Sequence, residues 1–226
     1  MPEDAPAMKV ANTKAFGGQV VTYNRYTENR EALGAELAKT QGATLIPPYE
    51  YLPVIAGQGT IGIEIANHLT EQNIIPDQLI CCTGGGGLIA GISIGIHQHF
   101  PDLDIIAAEP EGFDDFKRSL ELGERVSNDP DARSICDAII TPIPGEMTFA
   151  INKAHVKSAA VVSDDEALMA VATAWQYLKC VAEPGGAVAL AAILSGKVEA
   201  RNKTSIVIVS GGNIDQAMFT RALNML

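Results

Sequence analysis

An α/β fold with a three-layer arrangement, a parallel sheet covered by helices on both faces, is predicted by three features of the sequence. Apolar runs of strand length (Leu79–Cys82, Leu103–Ala108, Ser205–Val209) alternate with longer segments of helical character. Two of these runs, Ile105–Ala108 and Ile206–Val209, are apolar at every position, as in strands buried on both faces. Four consecutive glycines, Gly84–Gly87, join one such strand to a small-residue helix, a strand–loop–helix unit.

In chain order, Ala5–Phe16 reads as a helix with Asp4 as N-cap and Gly17-Gly18 as its stop, and Gln19–Tyr23 alternates like a strand. Asn29–Gln41 reads as a second helix ending at Gly42. Ala43–Ile46 reads as a short strand broken by Pro47-Pro48. Ile55–Leu69, with Ile61, Ile63, Ile65 and Ala66, reads as a buried helix. Leu79–Cys82 leads into the glycines, and Leu88–His99 continues as a helix. Leu103–Ala108 is a strand ending at Glu109-Pro110, followed by a charged helix over Phe113–Leu122 and an irregular acidic stretch to Arg133. Ser163 with Glu166 three residues on forms a capping box. It opens a helix whose stripe Leu168, Val171, Ala172, Trp175 and Leu178 faces the core. Ala187–Leu194, the strand Ser205–Val209 and a helix over Ile214–Met225 complete the chain.

The 226 residues suffice for one large domain, and a net charge of −11 argues against nucleic acid or an anionic membrane as partner. No uncharged run reaches membrane-spanning length, and the acidic start, Met1-Pro2-Glu3-Asp4, is not a secretory leader. Four cysteines without a C-x-x-C pair read as reduced thiols of a cytoplasmic protein.

Glycine lets backbone N–H groups turn toward an anion, and a helix N-terminus adds unpaired donors and partial positive charge. Gly84–Gly87 therefore read as a phosphate cradle, against the alternative of a tight turn without ligand; the spacing is neither G-x-G-x-x-G nor a P-loop. Ligands of parallel sheets sit at the C-terminal ends of strands. Thr83–Gly87, Glu109 and Ser210–Asn213 are three such ends, expected to converge on one crevice.

The same residues resemble a known family. Pro2-Glu3-Asp4-Ala5-Pro6, Val54-Ile55-Ala56-Gly57-Gln58-Gly59-Thr60, Gly84–Gly87 with Gly91, Ala108-Glu109-Pro110, Ala182-Glu183-Pro184-Gly185-Gly186 and Ser210-Gly211-Gly212-Asn213 are similar to segments of threonine dehydratase and serine racemase, in order and spacing. These are fold-type II pyridoxal-phosphate enzymes, related to the tryptophan synthase β subunit. The resemblance implies that Gly84, Gly85, Gly86 and Gly87 cradle the cofactor phosphate, that Ser210 faces the pyridine nitrogen, and that Glu183 lies near the cofactor pocket. The competing readings are a strand-ending turn residue for Ser210 and an ordinary helix-start carboxylate for Glu183. It further implies a Mg²⁺ or Ca²⁺ site of Glu109, Asp115 and the Phe113 carbonyl; with Glu111 and Asp114 nearby, a solvated acidic loop is the alternative.

The resemblance also implies two segments that do not occur here: a Ser-x-Lys-x-Arg-like segment with the Schiff-base lysine, and a Ser-x-Gly-Asn-His-like segment. The single Asn-His, Asn67-His68, lacks the preceding Ser-x-Gly. The expectation is therefore an N-terminally truncated scaffold, with no catalytic residue of its own and no dehydratase turnover as a lone chain. Residues 1–24 would be a remnant of a smaller domain, and residues 25–226 a large cofactor-binding domain lacking its first segment. Exposed apolar faces should recruit another copy of the chain or a complementary N-terminal polypeptide. A small amino acid would be the substrate of the completed protein. A non-catalytic phosphate-ligand or interaction protein, and an amino-acid racemase, are the alternative functions.

Overall fold

A computed structural model of the chain describes residues 1–226. They divide into two compact units, Met1–Pro47 and Pro48–Leu226.

The short unit holds α1 (Ala7–Ala15) and α2 (Arg30–Gln41). Asn29 caps α2 by accepting the Ala32 amide, and Gly42 closes it in the left-handed conformation at φ 63°. Asp4 does not cap α1: that position falls to Pro6, and Asp4 instead pairs with Arg25. The strands expected over Gln19–Tyr23 and Ala43–Ile46 do not form. A single bridge between Pro2 and Tyr23 is all that remains, because neither segment has a neighbouring strand to complete a ladder. Tyr23 is the one buried residue of this unit.

The long unit contains α3 (Leu52–Glu71), β1 (Gln78–Cys82), α4 (Gly87–His97), β2 (Asp104–Pro110), α5 (Asp115–Leu122), α6 (Glu146–His155), β3 (Val156–Val162), α7 (Asp164–Thr173), α8 (Pro184–Leu194), β4 (Ser205–Val207) and α9 (Gln216–Leu223). All strand pairs are parallel, in the order β3-β2-β1-β4, with Leu79 opposite Ile105 on one side and Ile206 on the other. Alternate residues of the central strands feed two cores. Ile80, Cys82, Ala108 and Val162 pack with the alanine-rich helices α7 and α8, and Leu79, Cys81, Ile105 and Ala107 pack with α3, α4 and Phe116 of α5. This is the three-layer parallel α/β architecture predicted from the alternation of elements.

Three details depart from the pattern. First, α6 and β3 carry no strong signal: Val156–Val162 includes Lys157 and Ser158, and its buried positions follow no simple alternation. Second, α3 buries Ile55, Gly59, Gly62, Ala66 and Leu69, while Ile63 is exposed. The glycines face α4 because the two helices touch backbone to backbone. A Cβ on Gly91 would lie 2.6 Å from the Gly59 amide nitrogen, and one on Gly95 would lie 2.5 Å from the Gly59 carbonyl oxygen. Third, Trp175 is not core but 41% exposed, and Leu178 is exposed too. After Thr173 the helix widens into a π turn, Ala174–Leu178, so the 3.6-residue stripe ends and Ala174 takes the buried position. The Ser163–Glu166 capping box forms as expected.

Two glycine substitutions test the α3–α4 seam. Gly91→Ala should cost about 1–3 kcal/mol in urea unfolding, because a methyl there meets backbone that cannot move aside. Gly57→Ala, in the same helix layer with nothing within 4 Å, should be neutral or stabilising by about 0.5–1 kcal/mol. Equal effects of the two would mean the seam is not close-packed.

Candidate functional site

The glycine loop follows β1, which is buried along its whole length. Thr83 is still held by the sheet, its amide donating to the Ala108 carbonyl, and then the chain turns. Gly86 occupies φ 89°, a left-handed conformation that glycine adopts without strain, and serves as N-cap of α4. Helix α6 organises this turn. The Gly85 carbonyl accepts from the Thr148 hydroxyl at 2.5 Å and from the Gly145 amide at 3.2 Å, and the Gly86 carbonyl accepts from Asn152 Nδ2 at 3.0 Å. A peptide group is planar, so fixing a carbonyl fixes the next residue's N–H in the opposite direction. Thr148 and Asn152, one helical turn apart on α6, thereby aim the amides of Gly86 and Gly87.

Those amides have no acceptor in the protein. Neither do the amides of Gly84, Gly85 and Leu88, although the four glycines are buried. Five neighbouring backbone donors are left unpaired, four of them on buried glycines, at the positive end of an eleven-residue helix, an arrangement suited to an anion. Side chains would close it. A Cβ on Gly85 would sit 2.5 Å from the Tyr49 ring, one on Gly87 2.7 Å from Tyr49, and one on Gly84 2.9 Å from the Ile139 backbone. Sequence patterns pointed to the four glycines but not to Thr148, Asn152 or Tyr49. Threonine and asparagine within a helix carry no signal of their own, and only their spacing on α6 could have suggested a shared face.

Ser210 lies at the neighbouring strand end. Its hydroxyl is 2.9 Å from the Cys82 thiol, and its amide donates to the Gly186 carbonyl at 3.2 Å. Glu183, the N-cap residue of α8, donates its amide to the Gly211 carbonyl. Its carboxylate lies against Gly211, so that a Cβ there would clash with it. Gly84–Gly87, Ser210 and Glu183 thus lie at the C-terminal ends of β1 and β4. All four cysteines are free thiols, and burial pushes Cys81 up and Cys136 up to about 12, keeping them protonated at neutral pH.

Glu109 does not turn toward this group. Fully buried in β2, its carboxylate accepts the amides of Phe116 and Lys117, both at 2.9 Å, and caps α5 from a distance. Asp115 is buried beside it. One carboxylate oxygen of Asp115 accepts from Asn128 Nδ2 at 2.6 Å, and the other, Oδ2, has no partner. Burial, and then the Asp115 charge, push Glu109 well above the ordinary carboxylate range; burial raises Asp115 to about 7. The Phe113 amide donates to the Pro110 carbonyl, which folds the turn linking β2 to α5. A cleft of about 430 Å³ lined by Asp114, Arg118, Asp129 and Asp131 opens beside the pair. No group of three or more His, Cys, Asp or Glu side chains is close enough to hold a metal ion. The three strand ends therefore form two places, a glycine crevice and a carboxylate pair.

The lysines of the long unit are engaged elsewhere. Lys117, Lys157 and Lys197 pair with Glu121, Asp104 and Glu166, Lys203 donates to Gln78, and Lys153 and Lys179 donate to the carbonyls of Gly123 and Gln176.

Comparison with known proteins defines the class. Residues 1–212 match the family described as pyridoxal-phosphate dependent enzyme, and the chain belongs to that family. It is 37% identical over 224 residues to the serine racemase of Schizosaccharomyces pombe, covering 99% of this chain and 68% of that protein. It is 38% identical over 225 residues to the L-threo-3-hydroxyaspartate ammonia-lyase of Saccharomyces cerevisiae, covering 99% and 67%. Among solved structures, the threonine deaminase of T.th. superposes with a TM-score of 0.83 at 35% identity, covering 92% of this chain and 67% of that one. The chain spans about two thirds of the length of these relatives. No helix is long and apolar enough to cross a membrane.

The carboxylate pair makes stability depend on pH in a defined direction. Asp115 binds its proton more tightly folded than unfolded, so it costs nothing below about pH 4 and its full penalty, at most about 4 kcal/mol, above about pH 7. His155 acts oppositely: burial, and then His97, whose ring nitrogen lies 2.9 Å away, lower its pKa, so stability is lost as pH falls below about 6.5. Asp115→Asn should therefore flatten the decline in stability between pH 5 and pH 8 and leave the acid limb in place. An unchanged slope in denaturant titrations would contradict the burial of an ionised Asp115.

Proposed function

We propose that this chain is the phosphate-binding and ring-binding part of a pyridoxal-phosphate lyase acting on β-hydroxy amino acids, of the threonine/serine dehydratase kind. The observation that carries it is the row of unpaired amides from Gly84 to Leu88, four of them on buried glycines, with those of Gly86 and Gly87 aimed by anchored carbonyls. A phosphate dianion satisfies such donors, and the four glycines leave room for it. The Ser210 hydroxyl, neutral and adjacent to Cys82, suits a ring nitrogen that stays largely unprotonated. Glu183 sits against the turn that carries Ser210 and orients it through the Gly211 carbonyl. Bound there, pyridoxal phosphate would supply an electron sink for charge developing at a substrate Cα. The names of the relatives support the substrate class: serine, threonine and hydroxyaspartate all carry a β-hydroxyl.

Within these 226 residues no lysine stands in a Schiff-base segment, and the lysines of the long unit are held away from the glycine loop. This chain binds and orients, and the group that moves the Cα proton comes from another segment. The β4 edge, which pairs with β1 alone, and the exposed Trp175, Tyr177, Leu178 and Val181 offer surface for a complementary polypeptide or a second copy. Residues 1–24 are then the remnant of a smaller domain. A racemase is the second reading, favoured by the serine racemase relative.

At the carboxylate pair, the unpartnered Asp115 Oδ2 and the raised pKa values fit a hard cation, with Glu109, Asp115 and the Phe113 carbonyl as oxygen donors for Mg²⁺ or Ca²⁺. It would take the place of the protons that these buried carboxyls hold and stiffen the β2–α5 turn.

Equilibrium dialysis tests the cofactor assignment. The chain should retain pyridoxal phosphate and not pyridoxal, and Gly85→Val should lose that retention, because the added side chain fills the loop against Tyr49. Equal binding of both compounds, or unchanged binding by the variant, would refute the cradle. L-serine or L-threonine should give no 2-oxo acid with the chain alone, and turnover should appear when a lysine-bearing partner copurified from the source is restored. At pH 8, Mg²⁺ or Ca²⁺ should raise the Tm of the parent chain but not of Asp115→Asn; no shift in the parent would remove the cation site.

A further inference from the structure

The loop preceding α3 places two consecutive residues on the glycine crevice that no part of the proposed chemistry uses. The N-cap position of α6 falls to Gly145, which has no side chain to cap it. The cap comes instead from Glu50, nearly a hundred residues earlier: its carboxylate accepts the Met147 amide at 3.0 Å and the Thr148 amide at 3.0 Å. Thr148 is the residue whose hydroxyl holds the Gly85 carbonyl, and Asn152 on the next turn holds that of Gly86. Tyr49, immediately before Glu50, lies with its ring over Gly85 and its backbone and Cβ against Gly87. One dipeptide thus grips both sides of the turn, the loop through Tyr49 and the helix that aims the loop through Glu50. The capping is also electrostatically apt, since a carboxylate at a helix N-terminus is stabilised by the helix dipole.

We propose that Tyr49-Glu50 is a latch that presets the phosphate-binding amides, with Glu50 a positioning residue acting through Thr148 and the Gly85 and Gly86 carbonyls. The inference rests on the phosphate cradle proposed above. Without the cap, the first turn of α6 frays, the Thr148 hydroxyl leaves the Gly85 carbonyl, and the Gly86 amide is free to rotate away from the anion. The latch bears only on the phosphate end of a ligand and leaves the Ser210 end untouched.

The test compares pyridoxal phosphate, pyridoxal and inorganic phosphate as probes in the parent chain, Glu50→Ala, Glu50→Asp and Tyr49→Leu, with amide hydrogen exchange measured on the same samples. Glu50→Ala should weaken pyridoxal phosphate and inorganic phosphate about five- to tenfold, the loss of one helix cap transmitted to the anion site, and leave pyridoxal unchanged. Protection should fall at Ala150 to Asn152 and at Ala90, whose amides close the first turns of α6 and α4. Glu50→Asp should recover part of both effects, and Tyr49→Leu should lower affinity without deprotecting α6. A parent chain that does not prefer phosphate-bearing probes overturns the cradle and the latch together. A parent chain that does, with Glu50→Ala unchanged in phosphate affinity or in exchange, overturns the latch alone. A drop in Tm with all three probes weakened equally would make Glu50 a structural cap and nothing more, and would also overturn it.

Discussion

Two planar peptide groups govern the candidate site. The carbonyls of Gly85 and Gly86 are held by Thr148 and Asn152, and planarity converts that anchoring into a fixed direction for the following amides. A glycine loop without such anchors would sample many orientations, and ordering it around an anion would cost conformational entropy at the moment of binding. Here the cost falls on folding instead. The anchors are one helical turn apart on α6, and α6 is itself capped by Glu50, so the geometry of a five-residue turn depends on two distant parts of the chain.

The same constraint explains the glycine seam. Helix α4 starts at the loop, so its position must be as exact as the loop's, and close backbone contact with α3 through Gly59, Gly62, Gly91 and Gly95 leaves it little freedom to slide. Strand β1, buried at every residue, fixes the other end of the turn. The opposite layer is built differently. Helices α7 and α8 pack through alanines, and the end of α7 relaxes into a π turn that exposes Trp175 where regular periodicity would have buried it.

The carboxylate pair follows a different logic. Glu109 gives both oxygens to the amides of α5 and thereby holds that helix to β2, while Asp115 keeps one buried oxygen without a partner. Two acids buried together hold their protons more tightly than free carboxyls do, so ionising them costs stability.

How much was legible in the sequence divides along the range of the interactions. Uniformly apolar strands such as Ile105–Ala108, the Ser163–Glu166 capping box and the run Gly84–Gly87 announce themselves because their causes are local: burial on both faces, a cap three residues long, a turn that tolerates no Cβ. By themselves these determined a parallel three-layer α/β fold with a four-glycine turn between β1 and α4. The short strands expected near Tyr23 and Leu45 failed because a strand needs a neighbour, which local pattern cannot supply. Helix α6, the buried glycine face of α3 and the exposure of Trp175 were equally out of reach. Only the tertiary structure decided that Thr148, Asn152, Tyr49 and Glu50 converge on the glycines, because contacts between residues tens of positions apart leave no trace in the spacing of the residues that make them.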